Sequence, residues 1–211
     1  MDDDGGRLHR LELLSTILLA VAAVMTAWAT YQSNQWRGET AIKYSKATAA
    51  RIQSSAASTR AGQLTQVDIA TFIQWVDAYV VGKRDLARFY RRRFRPEFKP
   101  AFDAWLATSP RTNPSAPLSP FAMPQYRVSE AAKGERLNAA AGVYADEAET
   151  ATQRADNYVL AVVLLASSLF FAGISTKLRS LGQREFLLAI GWITFVATVV
   201  WLALSPVTVS V

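Results

Sequence analysis

Residues 13–31 read LLSTILLAVAAVMTAWATY, a run of 19 residues without a charged side chain. Two later runs share this character: YVLAVVLLASSLFFAGI at 158–174 and FLLAIGWITFVATVVWLAL at 186–204. About 20 apolar residues in a helix cross the roughly 30 Å of hydrocarbon in a bilayer. The sequence therefore predicts an all-α integral membrane protein with three transmembrane helices at these positions.

Aromatic side chains with a polar edge stand at or near the ends of these runs, and we expect them at headgroup depth. These interfacial candidates are Trp28, Tyr31, Trp36, Tyr158 and Trp201. A cleaved secretory signal is the alternative for the first run, because Arg7 and Arg10 precede it and Ala27 and Ala29 imitate a cleavage site. The acidic start and the length of the run favour a retained helix.

The chain has 211 residues and a formal charge of +6, and it contains no cysteine. The positive excess lies in residues 31–157, which hold 18 basic against 12 acidic side chains. The lack of cysteine excludes disulfides, thiolate metal sites and cysteine nucleophiles. Composition therefore indicates a basic extramembrane domain with an anionic neighbour as one possible partner.

The segment between the first two runs is predicted to be an antiparallel helical bundle with coiled-coil-like spacing. The first membrane helix is expected to continue to Gly62, with a small-residue stripe on one face. That stripe comprises Ala27, Tyr31, Asn34, Gly38, Ala41, Ser45, Thr48, Ile52, Ser55, Thr59 and Gly62. A second stripe, Leu137, Ala141, Tyr144, Ala148, Ala151, Ala155, Tyr158, Val162 and Leu165, runs into the second span.

The motif TQVD at 65–68 predicts the start of a separate helix over 67–95, which Pro96 would end. Gly82 is interpreted as a tolerated weak point inside it. Folding back along the first helix would bring Arg95 closer to the membrane headgroups than to Gly62. The Pro-rich segment 108–127 would then return the chain to the far tip as an extended loop.

The predicted organisation has seven parts. They are an N-terminal cytoplasmic tail (1–12), the first span (13–31), a helical extramembrane domain (32–157), the second span (158–174), a short basic turn (175–185), the third span (186–204) and a C-terminal tail (205–211). Lys177, Arg179 and Arg184 in the short turn favour a cytoplasmic turn and N-terminus. We expect a bacterial cytoplasmic membrane protein whose domain and C-terminus are extracytoplasmic.

The segment YRRRFRPEFKP at 90–100 is the most basic stretch of the chain. Three interpretations stay open: contact with anionic lipid or another anion, a solvated or internally paired face, and nucleic-acid binding, for which no surrounding motif exists. The candidate lipid or anion contacts are Arg88, Arg91, Arg92, Arg95 and Lys99. Arg93 falls among rings on the apolar face, so we expect it buried and paired with Asp103 or Glu97, or snorkelling.

No catalytic or metal-binding residues are predicted, because His9 is the only histidine and no phosphate, dinucleotide or hydrolase motif occurs. Asp146, Glu147 and Glu149 are interpreted as a solvated helix face. We therefore expect no enzyme activity and no cofactor.

The spans contain no ionisable side chain that would support coupled transport. Their serines and threonines are typical of helix packing, so a pore would require oligomerisation.

Two resemblances extend these observations. A span, an external helical domain and a second span resemble the ligand-sensing half of bacterial chemoreceptors, although a third span follows here. The segments FIQWVDAY (72–79), FYRRRFRPEFKPAFDAWLA (89–107) and RADNYVLAVVLLASSLFFAGISTKLRS (154–180) are similar to an uncharacterised family of bacterial membrane proteins. The family resemblance implies no known activity. From the residues we expect a non-enzymatic interaction, scaffold or sensing module with membrane lipids and a membrane-protein partner or second copy, and no nucleic acid; a homo-oligomeric pore is the alternative.

Overall fold

The computed structural model describes residues 2–207, with side chains described from Gly6 onward. Helices make up 83% of the structure, and no strand occurs among the described residues. The helices are α1 (Asp2–Val80), α2 (Arg84–Arg93), α3 (Lys99–Ala107), α4 (Ser129–Ser175) and α5 (Leu181–Ala203), with a 3₁₀ turn at Pro120–Ala122. The all-α prediction is therefore confirmed.

Three of these helices, α1, α4 and α5, are long and apolar enough to cross a membrane. Large apolar side chains on them, such as Val24, Phe170 and Ile193, are exposed. A helix that buries little of its apolar surface in its own chain is suited to lipid surroundings. The three predicted spans are therefore present as helices of the required kind.

The predicted tails and turn differ from the structure at their edges. Residues 2–12 are the first turns of α1, and the turn between α4 and α5 comprises only residues 176–180. Arg184, predicted to be a turn residue, lies in α5 with its side chain almost fully buried, 3.6 Å from Glu12. In the predicted C-terminal tail, residues 208–211 lie outside the described residues.

The chain divides into two compact units. The first comprises residues up to Ser45 and from Tyr144 onward, and the second comprises Lys46–Val143. In the first unit, small buried residues such as Ala22, Ala29, Ala155 and Ala161 form the core together with Leu18 and Leu165. We call these four alanines the alanine seam, because side chains of this size let helices approach closely.

Most of the predicted stripe on α4 is confirmed, since six of its nine residues are buried and Leu137, Tyr144 and Val162 are half-buried. The six are Ala141, Ala148, Ala151, Ala155, Tyr158 and Leu165. The stripe on α1 is wrong. In the second unit Thr48, Ile52, Ser55, Thr59 and Gly62 are exposed, and the buried residues lie one or two positions earlier, at Ala47, Ala50, Ser54, Ala57 and Ala61. One position corresponds to a rotation of about 100°.

The reason for this error is that both faces of α1 are rich in alanine and serine, so spacing alone could not select one. A contact between chain-distant residues selects it. Ser54 donates a hydrogen bond of 2.8 Å to the carbonyl oxygen of Gly134 in α4. Gly134 lies so close that an added Cβ would stand 2.8 Å from the Ser58 hydroxyl oxygen.

The predicted helix break before residue 67 does not exist, because α1 runs without interruption from Asp2 to Val80. The chain turns instead at Gly82, whose φ is +79°. Its N–H donates to Tyr79 at 3.2 Å, and the Lys83 N–H donates to Ala78 at 2.9 Å. This pair of hydrogen bonds is a Schellman motif, in which glycine takes the left-handed conformation that ends a helix.

Because α1 does not fold back at residues 62–66, the Pro-rich segment has no long distance to span. It forms successive turns and the short 3₁₀ helix rather than an extended strand-like loop. Within it, the carbonyl oxygen of Pro117 accepts a 2.7 Å hydrogen bond from the Trp105 indole. The predicted extended loop is therefore wrong, and the segment packs onto α3 instead.

Candidate functional site

Aromatic side chains form the core of the second unit. Phe98 and Phe102 are fully buried, and Trp75, Phe94 and Trp105 are nearly so. Phe72, Tyr90, Leu106, Phe121, Met123 and Tyr126 pack against them. We call this set of residues the aromatic cluster. Most ring pairs meet edge to face at 4.7–6.4 Å, the geometry that aromatic quadrupoles favour.

The most buried charge of this unit is Asp68, whose side chain is 0% exposed. Arg95 binds it with two parallel hydrogen bonds, Nε to Oδ1 and Nη2 to Oδ2, each 2.9 Å long. The Tyr126 hydroxyl donates to Oδ2 at 3.2 Å and also lies 3.2 Å from the Thr65 hydroxyl. The planar guanidinium therefore fits the carboxylate bidentately.

Sequence reasoning did not identify Asp68 as a site residue, because it was interpreted as part of an N-terminal cap. The available signal was its position on the face that carries Phe72 and Trp75 one and two turns later. An acid on an aromatic face needs a cationic partner, and the basic segment supplies one. The neutral form of Tyr126 is favoured in turn, since burial raises the pKa of its phenol.

Glu97 extends this network to the start of α4. Arg95 Nη1 donates to a Glu97 oxygen at 3.1 Å. A hydrogen bond from the Ser129 side chain, followed by the bond from Arg95 and one from the Ser129 backbone, holds the pKa of Glu97 below its usual value. A carboxylate beside the first turn of a helix is also stabilised by the positive end of the helix dipole. The network thus connects three parts of the chain, namely α1, the segment that follows α2, and the start of α4.

The five predicted anion contacts therefore separate into different environments. Arg95 is half-buried and pairs with Asp68, Arg91 donates to Asp103 at 2.8 Å, and Arg88 pairs with Asp85. Arg92 is exposed and Lys99 half-buried. The predicted fold-back that would bring Arg95 to the headgroups is wrong, because Arg95 binds α1 beyond Gly62. Three of the five side chains are thus paired with carboxylates of the same chain, and lipid or anion contact stays a prediction.

Of the two alternatives predicted for Arg93, burial is not found, since its side chain is exposed, and snorkelling stays a prediction. Its guanidinium carbon lies 3.6 Å from the centroid of the Phe89 ring. The two carboxylates predicted to pair with it, Asp103 and Glu97, bind Arg91 and Arg95 instead. Cation–π contact with an exposed ring needs no desolvation of the charge, which explains how Arg93 is accommodated on this face.

The predicted interfacial aromatics also differ from one another. Trp28 and Tyr31 are exposed with ring centroids 6.0 Å apart, as lipid-facing side chains would be. Trp36 and Tyr158 are buried in the first unit, and Trp201 is half-buried. The Arg154 guanidinium lies 4.6 Å above the Trp36 ring, and the Tyr158 hydroxyl donates to the Pro206 carbonyl at 3.1 Å. Trp36 and Tyr158 thus pack between helices.

An open groove borders the aromatic cluster. It consists of two adjoining recesses of about 610 and 430 Å³, which share Trp75, Tyr79 and Leu106. Its other walls are Val76, Val80, Trp105 and residues 109–112 on one side, and Arg84, Ala87, Arg88 and Arg91 on the other. We call it the aromatic groove. Its volume lies in the range of small-molecule sites, and sequence reasoning missed it because its walls are distant along the chain.

Chemistry that would indicate a metal centre is not found in the region that the structure describes, where no group of three metal-ligating side chains occurs. His9 is exposed on α1. Glu147 of the acidic group on α4 accepts a 2.7 Å hydrogen bond from Lys43. The strongest candidate for a site is thus the aromatic groove and the charges beside it.

Comparison of the chain with known proteins found no matching family model, no similar curated protein and no similar solved structure. The resemblances to chemoreceptor sensor modules and to an uncharacterised family of bacterial membrane proteins stay predictions.

Proposed function

We propose that the protein is a non-enzymatic membrane protein whose helical unit Lys46–Val143 serves as an interaction, scaffold or sensing module. One observation carries this proposal: α1 and α4 contribute to both units without a break in either helix. A module that is continuous with its apolar helices is suited to binding at a membrane or to passing a change in packing along a helix. The aromatic groove favours the sensing form.

The proposed location is a bacterial cytoplasmic membrane, with the N-terminus inside and the helical unit and C-terminus outside. The charges of the short turn support this orientation, now through Lys177 and Arg179, since Arg184 is buried. Ser115 is exposed in the Pro-rich segment, and Thr176 is exposed in the short turn. Because the chain contains no cysteine, each can be replaced by a single cysteine.

Labelling of intact cells with a membrane-impermeant thiol reagent tests the orientation. The expected result is that Ser115→Cys reacts in whole cells, whereas Thr176→Cys reacts only after lysis. The reverse pattern would overturn the proposed placement. Reaction of both variants in whole cells would mean that the reagent enters the cells. The labelling is then repeated with a second cell-impermeant protein label, and the proposed orientation stands only if Ser115→Cys reacts before lysis and Thr176→Cys does not.

The alternative function is a subunit of a homo-oligomeric pore. The hydroxyls of Ser15, Ser167, Ser168 and Thr198 each donate to a carbonyl four residues earlier in their own helix. Hydroxyls bonded in this way serve helix packing and present no continuous polar wall. This observation supports the module over the pore.

Conductance and mass measurements on the full chain separate the two functions. The proposal expects that purified protein leaves planar bilayers silent at every concentration tested. Stepwise conductance together with a ring-shaped oligomer, whose inner wall is α4 or α5, would contradict the proposal and establish the pore.

A further inference from the structure

The aromatic groove has a floor that is suited to a flat ring. Tyr79 stacks on Trp75 with ring centroids 4.7 Å apart and an interplanar angle of 14°. Trp75 is buried, whereas Tyr79 is 39% exposed, so the stack ends at a ring that still faces solvent. Leu106 and Trp105 line the same groove. A planar aromatic body placed here would extend an existing stack and displace water from apolar surface.

The charge of the groove has one sign. Its lining includes Arg84, Arg88, Arg91 and Arg111 and no acidic side chain. Two of these arginines are already committed, since Arg88 pairs with Asp85 and Arg91 with Asp103. Arg84 and Arg111 have no ion pair or hydrogen-bonded partner within the described residues 6–207. The groove therefore offers two guanidinium groups that can receive an anion.

Arg111 is held at the exposed ring. Its guanidinium carbon lies 5.5 Å from the centroid of Tyr79. The loop that carries it is structured, because the carbonyl oxygen of Ser109 accepts hydrogen bonds from the N–H groups of Thr112 and Asn113, each 3.0 Å long. Ser109 itself has φ of +54°, a conformation that non-glycine residues seldom adopt outside helix ends and tight turns. A cation and a ring are thus presented together on an ordered segment.

We propose that the aromatic groove binds a planar aromatic anion of the arene carboxylate or sulfonate class. The ring lies against Tyr79 and Leu106, and the anionic group is bound by Arg111, with Arg84 as the second cation of the groove. Arginine suits this role because its planar fork donates two parallel hydrogen bonds to a carboxylate. This assignment rests on the proposed binding function, and it names the ligand chemistry for the sensing form.

The experiment uses the full chain in nanodiscs of zwitterionic lipid, with empty nanodiscs as a blank for partition into the bilayer. Three probes of one size are titrated by calorimetry: 2-naphthoate, 2-naphthalenemethanol and 2-naphthylmethylammonium. Saturable binding is expected for naphthoate, with binding of the alcohol weaker by about tenfold or more, because the charge-assisted hydrogen bonds are lost. No binding is expected for the cation.

Two double variants of equal charge then locate the site. Arg84→Gln with Arg111→Gln removes both unpaired guanidinium groups of the groove and is expected to weaken naphthoate binding by about tenfold or more. Arg92→Gln with Arg127→Gln removes two exposed arginines outside the groove lining and is expected to change binding less than about twofold. All four side chains are exposed, and both variants should unfold at the temperature of the parent protein.

A third variant tests the ring. Tyr79→Leu keeps an apolar side chain but removes the end of the stack, and naphthoate binding is expected to weaken by about fivefold to tenfold. Equal binding of naphthoate and the alcohol, or equal loss in both double variants, would overturn the proposal. Absence of binding by all three probes would also overturn it, while the proposed function would still be decided by the labelling and conductance measurements.

Discussion

The alanine seam and the aromatic cluster bury surface in opposite ways. Alanines such as Ala22 and Ala161 bury little area each and let helices approach closely, so their contribution comes from many small contacts. Rings such as Phe98 and Phe102 bury large areas each and interlock at defined angles. The difference teaches that identical small residues leave the packing face undecided, whereas a few large residues determine which chain-distant segments meet.

The cluster should be the more sensitive of the two regions to loss of a single side chain. Phe102→Ala removes a fully buried ring and is expected to lower the free energy of unfolding of the second unit by about 3–5 kcal/mol. Hydrogen exchange of the α3 amides in nanodiscs measures this loss. Phe89→Ala removes an exposed ring of the same unit and should cost about 1 kcal/mol or less. Equal effects of the two variants would contradict the central place of the cluster.

The charge buried beside the cluster gives the next largest effect. Asp68→Asn leaves Arg95, which is only 19% exposed, without its buried anionic partner and with Glu97 alone, and should cost about 3 kcal/mol in the same exchange measurement. Asp85→Asn breaks a pair whose carboxylate is 93% exposed and should cost about 0.5 kcal/mol or less. A cost for Asp85→Asn as large as that for Asp68→Asn would show that burial does not set the strength of these pairs.

Close approach in the first unit can be tested by adding one methyl group. An added Cβ on Gly191 would lie 3.3 Å from both Leu18 and the Ser168 carbonyl oxygen, whereas nothing lies within 4 Å at Gly173. Gly191→Ala is therefore expected to destabilise this unit by about 1–2 kcal/mol, and Gly173→Ala to be neutral or stabilising. Unfolding in mixed micelles measures both. Stabilisation by Gly191→Ala would mean that these helices are less closely packed.

The smallest effects concern two glycines, Gly62 within α1 and Gly82 just after its end. Their replacement by alanine should change the free energy of unfolding in opposite directions. Gly82→Ala places a side chain at a φ of +79° and is expected to cost about 1 kcal/mol. Gly62→Ala adds a methyl group in open space within a continuous helix and should stabilise by up to about 1 kcal/mol. Hydrogen exchange of amides 76–80 reports the first change. Destabilisation by Gly62→Ala would indicate that the chain bends at Gly62.

The sequence was sufficient for the helical class and the three apolar helices, because length and hydropathy alone determine these features. Most of the α4 stripe was also predictable, since its steps of four and three continue without a slip through Tyr158 and Leu165 into the second span. The end of α1 was not predicted: the TQVD motif is compatible with a cap and with a helix interior, and Gly82 was the stronger signal. The choice of Arg95 among the basic residues and the aromatic groove depend on contacts of α1 with α2, α3 and the segments that follow them, which no local pattern encodes.

Whether α1 continues through residues 62–68 is the claim on which the aromatic cluster and its groove depend. Ile52 and Ile73 are exposed on either side of this segment, and the cysteine-free chain allows a spin label at each after Ile52→Cys and Ile73→Cys. Pulsed dipolar spectroscopy of the full chain in nanodiscs measures their separation. A continuous helix predicts about 32 Å at 1.5 Å per residue. A distance below about 20 Å, as two antiparallel neighbouring helices would give, would contradict it.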